Sequence, residues 1–556
     1  MTAAPPTTLI DLLRNSCEQH NDCPALGMAM AAPLTYKELY RRVTALAALL
    51  HKQGIKKGDK IAILSENSPQ WGIAYFASQF CGAVAVPILP DFPGNDVRHI
   101  ITETRAKVLF TTEKQLPKIY ELMESRLENI VTLDDCHDPD CPGSHCTFSS
   151  LLADALDIPE KKRQKPTATT SPDDLASIIY TSGTSGHSKA VMLSHKNLCA
   201  NTHSASTLIP QITPEWTFLS ILPMSHTYEF TIGFLLPLHR GCRVAYAGKR
   251  PTPTILQRIC KAERPHAMCV VPMIMEKIYK KRVLATLKEK KVLGRLCRLD
   301  FIRRKIMIKI GNKLLDFFGG RLQLMAIGGA ALNHETELFL AEAQMPYVVG
   351  YGLTESAPLL AGGPLFSPEI PIGSTGRQIP GVELKIVNPN DEGIGEIMGR
   401  GDNIMGGYYQ DEQSTQATID PDGWLATGDL GRIDDKGFLH ILGRSKSVIV
   451  LSSGENVYPE AIEDKINSYE CVADSLVVEN NNRLEARVYL DQEVIDRDSG
   501  TQSQPERHDY IEMTLKAMQQ TINKQLPPYA KISGFVEQED PFTKTATHKI
   551  KRYLYQ

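Results

Sequence analysis

Residues 175–193 have the sequence LASIIYTSGTSGHSKAVML. The apolar run Leu175–Tyr180 predicts a buried strand, and Ala190–Leu193 is apolar again. The loop between them is made of glycines and hydroxyl side chains and ends in Lys189. Such a loop suits phosphate oxygens, because glycines let backbone N–H groups come close, hydroxyls donate hydrogen bonds and a lysine adds positive charge. Gly and Lys are not adjacent here, so the loop is not of the Walker type. Four Ser or Thr and two Gly within six residues, between two predicted strands, nevertheless favour a phosphate loop over an ordinary turn.

Strands and helices alternate on both sides of this loop. In the first region, residues 9–54 are predicted to be helical, because leucines recur at helical spacing. Helices at 70–82 and 96–105 then separate predicted strands at Lys60–Leu64, Ala83–Ile88 and Lys107–Thr111. A second region follows, with predicted strands at Thr217–Leu222, Arg243–Ala247, Ala267–Val271 and Leu322–Ile327. This alternation predicts α/β structure with largely parallel sheets.

The sequence pattern changes after about residue 370. Short strands separated by Asp-Gly turns predict a small β-rich subdomain. From about Ser447 the pattern returns to mixed α+β, with helices at 459–468 and 508–525 and strands near 472–478 and 484–490. The polar stretch Asp496–His508 between them predicts a loop.

Length and composition narrow the class of protein. The chain has 556 residues, which suggests about three to four units of domain size. Its hydrophobic fraction is 42%, its charged fraction 22% and its net charge −3, as in a soluble globular protein without an overall preference for nucleic acid. No apolar run long enough to span a bilayer and no signal-peptide pattern stand out, so a cytoplasmic location is expected.

One cluster of metal-ligand residue types lies outside these regular elements. It comprises Cys136, His137, Cys141, His145 and Cys146, among the chain's 12 cysteines. Zinc sites usually have tighter Cys pairs than this spacing offers. A polar surface loop is therefore favoured, and metal binding remains the alternative.

The stretch Tyr180–Leu193 resembles the signature of the adenylate-forming enzymes, which include acyl-CoA synthetases, peptide-synthetase adenylation domains and luciferases. Ser185, Ser188 and Ala190 depart from the usual residues. The resemblance implies nucleotide binding by the loop. The residues concerned are Thr181, Ser182, Gly183, Thr184, Ser185, Gly186 and Lys189. It also implies catalytic roles for Thr184 and Lys189.

Further motifs resembling that family follow in the expected order. The resemblance implies that His226, in Leu222–His226, lies near the reacting carboxylate, and that Gly328, Gly329 and Ala330 border adenine and the acyl group. In the segment from Gly350 through Gly352 to Glu355, the resemblance implies that Tyr351 stacks on adenine and Thr354 contacts the α-phosphate. It further implies that Glu355 binds Mg²⁺, with the Thr184 hydroxyl as a second metal partner. A carboxylate suits such a hard cation.

Four more positions complete the resemblance. Asp429 is implied to bind ribose, Arg444 to contact ribose or phosphate, and Lys446 to act as the hinge of a mobile C-terminal domain. Gly454 lies in the loop that lines the thiol channel in the synthetases. Lys549 aligns with the lysine that bridges carboxylate and phosphate, although His548 stands where Gly is usual.

The resemblance covers roughly residues 8–553 and implies a fold and a reaction. The α/β fold has a large N-terminal domain, residues 1–445, with two α/β subdomains and a β-barrel-like subdomain, and a mobile α+β C-terminal domain, residues 446–556. ATP, Mg²⁺ and coenzyme A are the implied cofactors. A carboxylate displaces pyrophosphate from ATP, and a thiol then takes the acyl group from the acyl-adenylate.

Two further segments bear on which acid is activated and which molecule accepts the acyl group. The run from Val271 to Tyr279 resembles long-chain fatty acyl-CoA synthetases, which favours a medium- to long-chain fatty acid with coenzyme A. Residues 280–309 carry an excess of Lys and Arg, which is typical of a solvated helical face or of a dock for an anionic membrane surface or an acidic carrier protein. Transfer to an acyl carrier protein and a non-catalytic nucleotide- or lipid-binding role are the alternatives, with peripheral contact at the inner membrane surface left open.

Overall fold

Two mixed β-sheets with helices packed on them form the large N-terminal part of the chain. The structure, a computed structural model, describes residues 5–120, 127, 129–138, 144–163, 170–181, 188–248, 251–285, 287, 299–365, 367, 369–452, 454–481, 483–500, 503–545 and 549–555. Within those residues, the first sheet contains, in spatial order, Gly407–Tyr408, Ala190–Ser194, Leu175–Tyr180, Val84–Ile88, Lys60–Leu64, Val108–Thr111, Asn129–Thr132 and Ser144–Thr147. Neighbouring strands from Leu175–Tyr180 to Ser144–Thr147 run parallel, whereas the strands at the other edge are antiparallel.

The second sheet is also mixed, with a parallel centre. Its described strands, in spatial order, are Arg377–Gln378, Leu359–Gly362, Tyr347–Gly352, Leu324–Ile327, Ala267–Val270, Thr217–Ser220, Arg243–Tyr246, Pro24–Met28 and Leu34–Thr35. The central strands pair in parallel, and both edges are antiparallel. The predicted largely parallel sheets are confirmed.

Helices connect and cover these strands. In the described part of the chain the α-helices are Leu9–Gln19, Tyr36–Lys52, Pro69–Phe80, Gly94–Thr104, Phe148–Leu156, His195–Leu208, Leu236–His239, Pro253–Glu263, Pro272–Ile278, Asp300–Phe317, His334–Glu342, Glu412–Thr418, Pro459–Asn467, Gln492–Ser499 and Gln504–Asn523. Two segments, Glu229–Leu235 and Tyr279–Leu284, have π-helical hydrogen bonding. No helix among the described residues is both long enough and apolar enough to cross a membrane.

Helix Pro69–Phe80 joins the two sheets into one core. Ser68 caps its first turn by accepting a hydrogen bond from the Trp71 N–H, and Pro69 suits the first helical position. The Tyr75 hydroxyl lies 2.7 Å from the Ser177 hydroxyl in the first sheet. On the other side the Trp71 ring lies 6.0 Å from the Phe230 ring, in the π-helical segment beside the second sheet. Buried aromatic rings therefore fix the relative position of the two sheets.

Three smaller sheets complete the described chain. Val382–Val387, Gly395–Gly401, Leu425–Ile433 and Leu439–Arg444 form an antiparallel sheet, which is the predicted β-rich subdomain. Strands Ile449–Val450 and Asn456–Val457 form a short hairpin. Val472–Asn480, Arg483–Leu490 and Ile532–Glu537 form the C-terminal sheet, on which helices Pro459–Asn467 and Gln504–Asn523 pack around a separate apolar core.

Three predictions of local structure are wrong, one of them for His145 and Cys146, which lie in strand Ser144–Thr147 rather than in the favoured surface loop. Residues 9–54 are not helical throughout, because strands Pro24–Met28 and Leu34–Thr35 lie between the two helices; they are short, and the first joins the edge of the second sheet through partners far along the chain. The predicted loop at 496–508 instead contains the end of helix Gln492–Ser499 and the start of helix Gln504–Asn523. Asp491 caps the first of these, and burial of Val494 and Ile495 outweighs the polar composition.

Candidate active site

The predicted phosphate loop connects two strands that pair with each other. Tyr180 and Ala190 are opposite each other in the antiparallel pair, and the Thr181 N–H donates to the Lys189 carbonyl at 2.9 Å. The two ends of the loop are therefore held together. Five predicted loop residues lie outside the described residues: Ser182, Gly183, Thr184, Ser185 and Gly186.

Lys189 is linked to Glu355 through Tyr408. The Lys189 ammonium lies 4.3 Å from the centre of the Tyr408 ring, a cation–π distance. The Tyr408 hydroxyl donates to Glu355 Oε1 at 2.9 Å. Tyr408 comes from the edge strand Gly407–Tyr408, which pairs with Ala190–Ser194. The edge of the first sheet thus brings the end of the phosphate loop and the predicted metal ligand to one place.

Buried asparagines hold the turn that carries Thr354 and Glu355. Asn201 and Asn403 each donate to the Ser356 and Leu359 carbonyls, at distances between 2.8 and 3.2 Å. The Thr227 hydroxyl donates to the Thr354 hydroxyl at 3.3 Å. Because buried amides satisfy the carbonyls of this turn, its position is set by the protein rather than by solvent.

A second cluster joins Tyr351, Asp429 and Arg444. The Tyr351 hydroxyl donates to Asp429 Oδ2 at 2.7 Å, and Arg444 Nε lies 3.0 Å from Asp429 Oδ1. Asp429 and Arg444 are register partners on neighbouring strands. Arg444 also donates to the Thr427 carbonyl at 3.1 Å. Burial, followed by the Asp429 carboxylate, raises the pKa of Tyr351, so its phenol remains protonated.

Lys549 reaches this cluster from the C-terminal domain. Desolvation and then the nearby Arg444 guanidinium lower the pKa of Lys549, while Asp429 and Glu355 act in the opposite direction. Lys549 itself is exposed to solvent. The pKa of Lys549 thus responds to charged groups of both clusters.

His226 is the next group facing Lys549. Desolvation and then the Lys549 charge lower the pKa of His226 to about 4, so the imidazole is neutral at neutral pH. Its Nδ1 accepts a hydrogen bond from the Tyr228 N–H at 3.2 Å. The neutral ring therefore carries its proton on Nε2, where it can donate.

Small residues line the neighbouring strand ends. A Cβ atom at Gly328 would lie 3.3 Å from the Tyr228 ring and 3.4 Å from the Gly350 carbonyl. At Gly352 it would lie only 1.8 Å from the Pro358 carbonyl, so no larger residue fits there. Gly329 has φ +88° and, like Ala330, is exposed. The backbone at Gly329 and Ala330 is therefore exposed to solvent just beyond strand Leu324–Ile327, while the Tyr228 ring lies against Gly328 on one side.

Comparison with known proteins gives the family. A family model described as AMP-binding enzyme matches residues 13–409, and one for the AMP-binding enzyme C-terminal domain matches residues 446–555. The chain belongs to the AMP-binding enzymes. The predicted class, an AMP-forming acid–thiol ligase, is confirmed.

Curated relatives of this AMP-binding enzyme include acid–CoA ligases. The long-chain-fatty-acid–CoA ligase heimdall of Drosophila melanogaster is 29% identical, over 86% of this chain and 75% of that protein. The 3-[(3aS,4S,7aS)-7a-methyl-1,5-dioxo-octahydro-1H-inden-4-yl]propanoyl:CoA ligase of Rhodococcus jostii is 28% identical, over 85% of this chain and 86% of that protein.

Solved structures confirm the predicted fold of the AMP-binding enzyme. ATP-bound MatB from Rhodopseudomonas palustris superposes with a TM-score of 0.76 at 23% identity, over 98% of each chain. A Mycobacterium tuberculosis fatty acyl CoA synthetase gives 0.66 at 22% identity, over 99% of this chain and 97% of that one.

Two predicted site residues of the AMP-binding enzyme stand apart from the clusters. Lys446 is exposed in the short 3₁₀ turn Ser445–Ser447, next in the chain to the strand that ends at Arg444. Gly454 is exposed, with φ +93°, at the turn of the hairpin Ile449–Val450 and Asn456–Val457. No hydrogen bond found among the described residues joins either of them to Asp429 or Glu355.

Sequence reasoning missed Tyr408 and the asparagines that hold the Glu355 turn. Tyr408 belongs to a strand of two residues, and its partners Lys189 and Glu355 lie far away in the chain. Only the neighbouring Gly407, whose φ of +128° marks a special turn, gives a local signal.

The cysteine and histidine cluster shows no metal site in the part that the structure describes. His137 and His145 stack with their ring centres 5.4 Å apart, and burial lowers the pKa of His145. Among the described residues, no group of three or more His, Cys, Asp or Glu side chains could hold a metal ion. Cys141 lies outside the described residues.

The start of the basic segment 280–309 contacts the C-terminal domain. Lys280 donates to the Val472 carbonyl at 3.0 Å, and Lys281 pairs with Asp491 and Glu493 at 3.4 and 2.8 Å. Lys280 is half-buried in this contact, whereas Lys281 stays exposed, as the predicted solvated helical face requires. Residues 286 and 288–298 lie outside the described residues.

Proposed function

We propose that this AMP-binding enzyme activates a medium- to long-chain fatty acid with ATP and transfers the acyl group to coenzyme A. The observation that carries the proposal is the geometry of the two clusters, in which Tyr351 and Arg444 hold Asp429 while Tyr408 links Lys189 to Glu355. Fixed carboxylates beside the lysine of a phosphate-type loop suit the binding of ATP, and Lys549 would bring further positive charge to the acid and the nucleotide.

In the proposed first half-reaction, the clusters hold ATP. Asp429 accepts hydrogen bonds from the ribose hydroxyls, and Tyr351 lies against adenine. Thr181, Lys189 and the rest of the phosphate loop hold the leaving pyrophosphate, and Thr354 contacts the α-phosphate. Each role uses fixed polar groups to position charge.

The bond changes of that half-reaction need no proton transfer. One carboxylate oxygen of the acid forms a bond to the α-phosphorus, and the bond from that phosphorus to pyrophosphate breaks. Lys549 bridges the attacking carboxylate and the α-phosphate and stabilises the developing charge. Neutral His226 donates from Nε2 toward the carboxylate, while Gly328 and Ala330 leave room for the acyl group.

The Glu355 carboxylate fits a Mg²⁺ ion. Carboxylate oxygen is a preferred ligand of that cation, and Glu355 Oε1 is oriented by Tyr408. We propose Glu355 as a metal ligand, with the Thr184 hydroxyl as a second one. Bound Mg²⁺ would neutralise phosphate charge.

The second half-reaction uses a different domain orientation. We propose that residues 446–556 form a mobile domain which turns about Lys446. Lys549 then leaves the site and the Gly454 hairpin enters it. The thiol of coenzyme A attacks the acyl carbon, the bond to AMP breaks, and the thiol proton is released. One site thus serves two steps through a hinge motion.

An exposed basic surface favours peripheral membrane contact. Helix Asp300–Phe317 presents Arg304, Lys305, Lys309 and Lys313 to solvent, next to Leu299 and Phe301, which are 59% and 69% exposed. Cations beside exposed apolar residues suit an anionic membrane surface, from which a long-chain acid would be taken. An acidic acyl carrier protein is the competing partner.

Pyrophosphate release across acids of increasing chain length tests this function. Coenzyme A and an acyl carrier protein are each offered as acceptor, with and without anionic vesicles. We expect release with medium- and long-chain acids, thioester formation with coenzyme A, and stimulation by vesicles. No release with any fatty acid would contradict the proposal, and acylation of the carrier alone would assign the alternative acceptor.

A further inference from the structure

An amide–carboxylate contact is among the contacts that join the C-terminal domain to the large domain. Asn333 Nδ2 donates to both the carbonyl and the Oδ1 atom of Asp464, at 2.8 Å each. The His334 N–H points to Asp464 Oδ2 at 3.5 Å. Asn333 is buried, and burial raises the pKa of Asp464. Hydrogen bonds to a carboxylate away from bulk water are among the stronger polar contacts in proteins.

The orientation of the Asn333 amide is fixed from the large-domain side. Asn333 caps helix His334–Glu342, its Oδ1 accepting from the Glu335 and Thr336 N–H groups at 3.1 and 3.2 Å. Because the oxygen faces the helix, the amide nitrogen must face Asp464. Asn333 also ends the loop that begins at Gly328, beside the proposed acyl position.

On the C-terminal side, the residue next to Asp464 supports Lys549. Glu463 Oε2 accepts from Arg552 at 2.8 Å, and Glu463 Oε1 accepts from the Val477 N–H at 2.7 Å. Arg552 also donates to the Val477 carbonyl at 3.1 Å. Helix Pro459–Asn467 is thus tied to the segment that follows Lys549.

The Lys549 turn is also held on its other side. Lys544 contacts both oxygens of Asp474 at 2.8 and 2.7 Å. Lys544 and Ile550 pair across the turn, and the Thr545 N–H donates to the Lys549 carbonyl at 2.8 Å. The turn therefore moves with the C-terminal domain, so the placing of that domain determines where Lys549 lies.

We propose that Asn333 and Asp464 are positioning residues for Lys549. Their contact stabilises the domain orientation in which Lys549 reaches the site, and so favours acid activation over thioester formation. The inference rests on the proposed function. Lys280 strengthens the same interface through the Val472 carbonyl, whereas the exposed Lys281–Glu493 pair contributes little.

The test uses variants that break and restore the contact. Asn333→Asp keeps an oxygen acceptor for the helix cap but sets a second carboxylate against Asp464. We expect kcat for pyrophosphate release to fall about 10- to 100-fold, because fewer molecules hold the domain orientation in which Lys549 reaches the site. The KM for ATP should stay within about twofold, because the groups that bind ATP are unchanged. Thioester formation from supplied acyl-adenylate stays at or above the wild-type rate.

The restoring variant combines Asn333→Asp with Asp464→Asn, which exchanges donor and acceptor. We expect it to recover pyrophosphate release to within about threefold of wild type. Glu493→Gln in the same interface is the matched control and should leave both half-reactions within about twofold. Equal losses in both half-reactions for Asn333→Asp, or no recovery in the double variant, would overturn the inference.

A readout without substrate separates this inference from the proposed function. Amide hydrogen exchange of helix Pro459–Asn467 should increase in Asn333→Asp and return toward wild type in the double variant. If the wild-type protein releases no pyrophosphate with any acid, the proposed function fails, and exchange still decides whether the contact holds the domain. Unchanged exchange in Asn333→Asp would refute the contact's role.

Discussion

The Asp429 cluster and Lys549 occupy one site but are built differently. Asp429 and Arg444 face each other on adjacent strands, and Tyr351 is hydrogen-bonded to Asp429 in the same domain. Lys549 instead comes from a turn in the C-terminal domain, and its position depends on contacts such as Asn333 to Asp464. Under the proposed function, this difference means that the nucleotide-binding groups are fixed within one domain, whereas the positive charge for acid activation is supplied by another.

The largest effect should come from removing the delivered charge. For Lys549→Ala we expect acyl-adenylate formation to fall at least about 100-fold, because the cation that stabilises the reacting groups is lost. Thioester formation from supplied acyl-adenylate should stay within about threefold. Pyrophosphate release and single-turnover thioester assays measure the two halves.

Lys551→Ala is the control for that variant, because Lys551 supports the turn through its backbone N–H, which donates to the Thr543 carbonyl. It should be close to wild type in both assays. Equal losses of both halves in Lys549→Ala would show that this lysine is not specific to acid activation.

A change in the fixed cluster should affect both halves. Asp429→Asn removes the ion pair with Arg444 and weakens the hydrogen bonds proposed for ribose, which is present in ATP and in the acyl-adenylate alike. We expect KM for ATP to rise about 10-fold or more, and the affinity for acyl-adenylate to fall similarly. Asp435→Asn, an exposed turn position, is the control. A loss confined to one half-reaction would show that Asp429, like Lys549, serves only one of the two steps.

Tyr408 tests how the metal-binding position is oriented. Tyr408→Phe removes the hydroxyl that donates to Glu355 but keeps the ring beneath Lys189. We expect a three- to 10-fold fall in pyrophosphate release and a higher requirement for Mg²⁺. Tyr409→Phe, at the next residue, serves as the control. An unchanged Mg²⁺ dependence would show that Glu355 does not need this hydroxyl.

The sequence could predict features that depend on local patterns, but not those that depend on contacts between distant parts of the chain. The strands Lys60–Leu64 and Leu175–Tyr180 were predictable to the residue, because buried parallel strands are continuous apolar runs. The motif residues Asp429 and Arg444 stood out through resemblance. Tyr408 and Asn333 did not, since the Glu355 and Asp464 partners of their side chains lie more than fifty residues away, and the helix cap formed by Asn333 gives no sign of Asp464. Long-range contacts of this kind are set by the packing of separate elements, which a pattern in the chain does not encode.

The smallest effect on activity should come from Glu229, a buried carboxyl three residues beyond His226. Burial raises the pKa of Glu229 to about 8, so the group is neutral at pH 7. Its pKa in the unfolded chain is about 4.3, so the folded protein binds the extra proton between these values, and stability falls as pH rises through that range.

Glu229→Gln keeps the shape without the titration, and we expect it to leave both half-reactions within about twofold at pH 7. Urea unfolding at pH 5, 6, 7 and 8 should show the wild type losing up to about 1.4 kcal/mol per pH unit relative to the variant. Parallel stability curves would show that Glu229 is not held protonated in the folded protein.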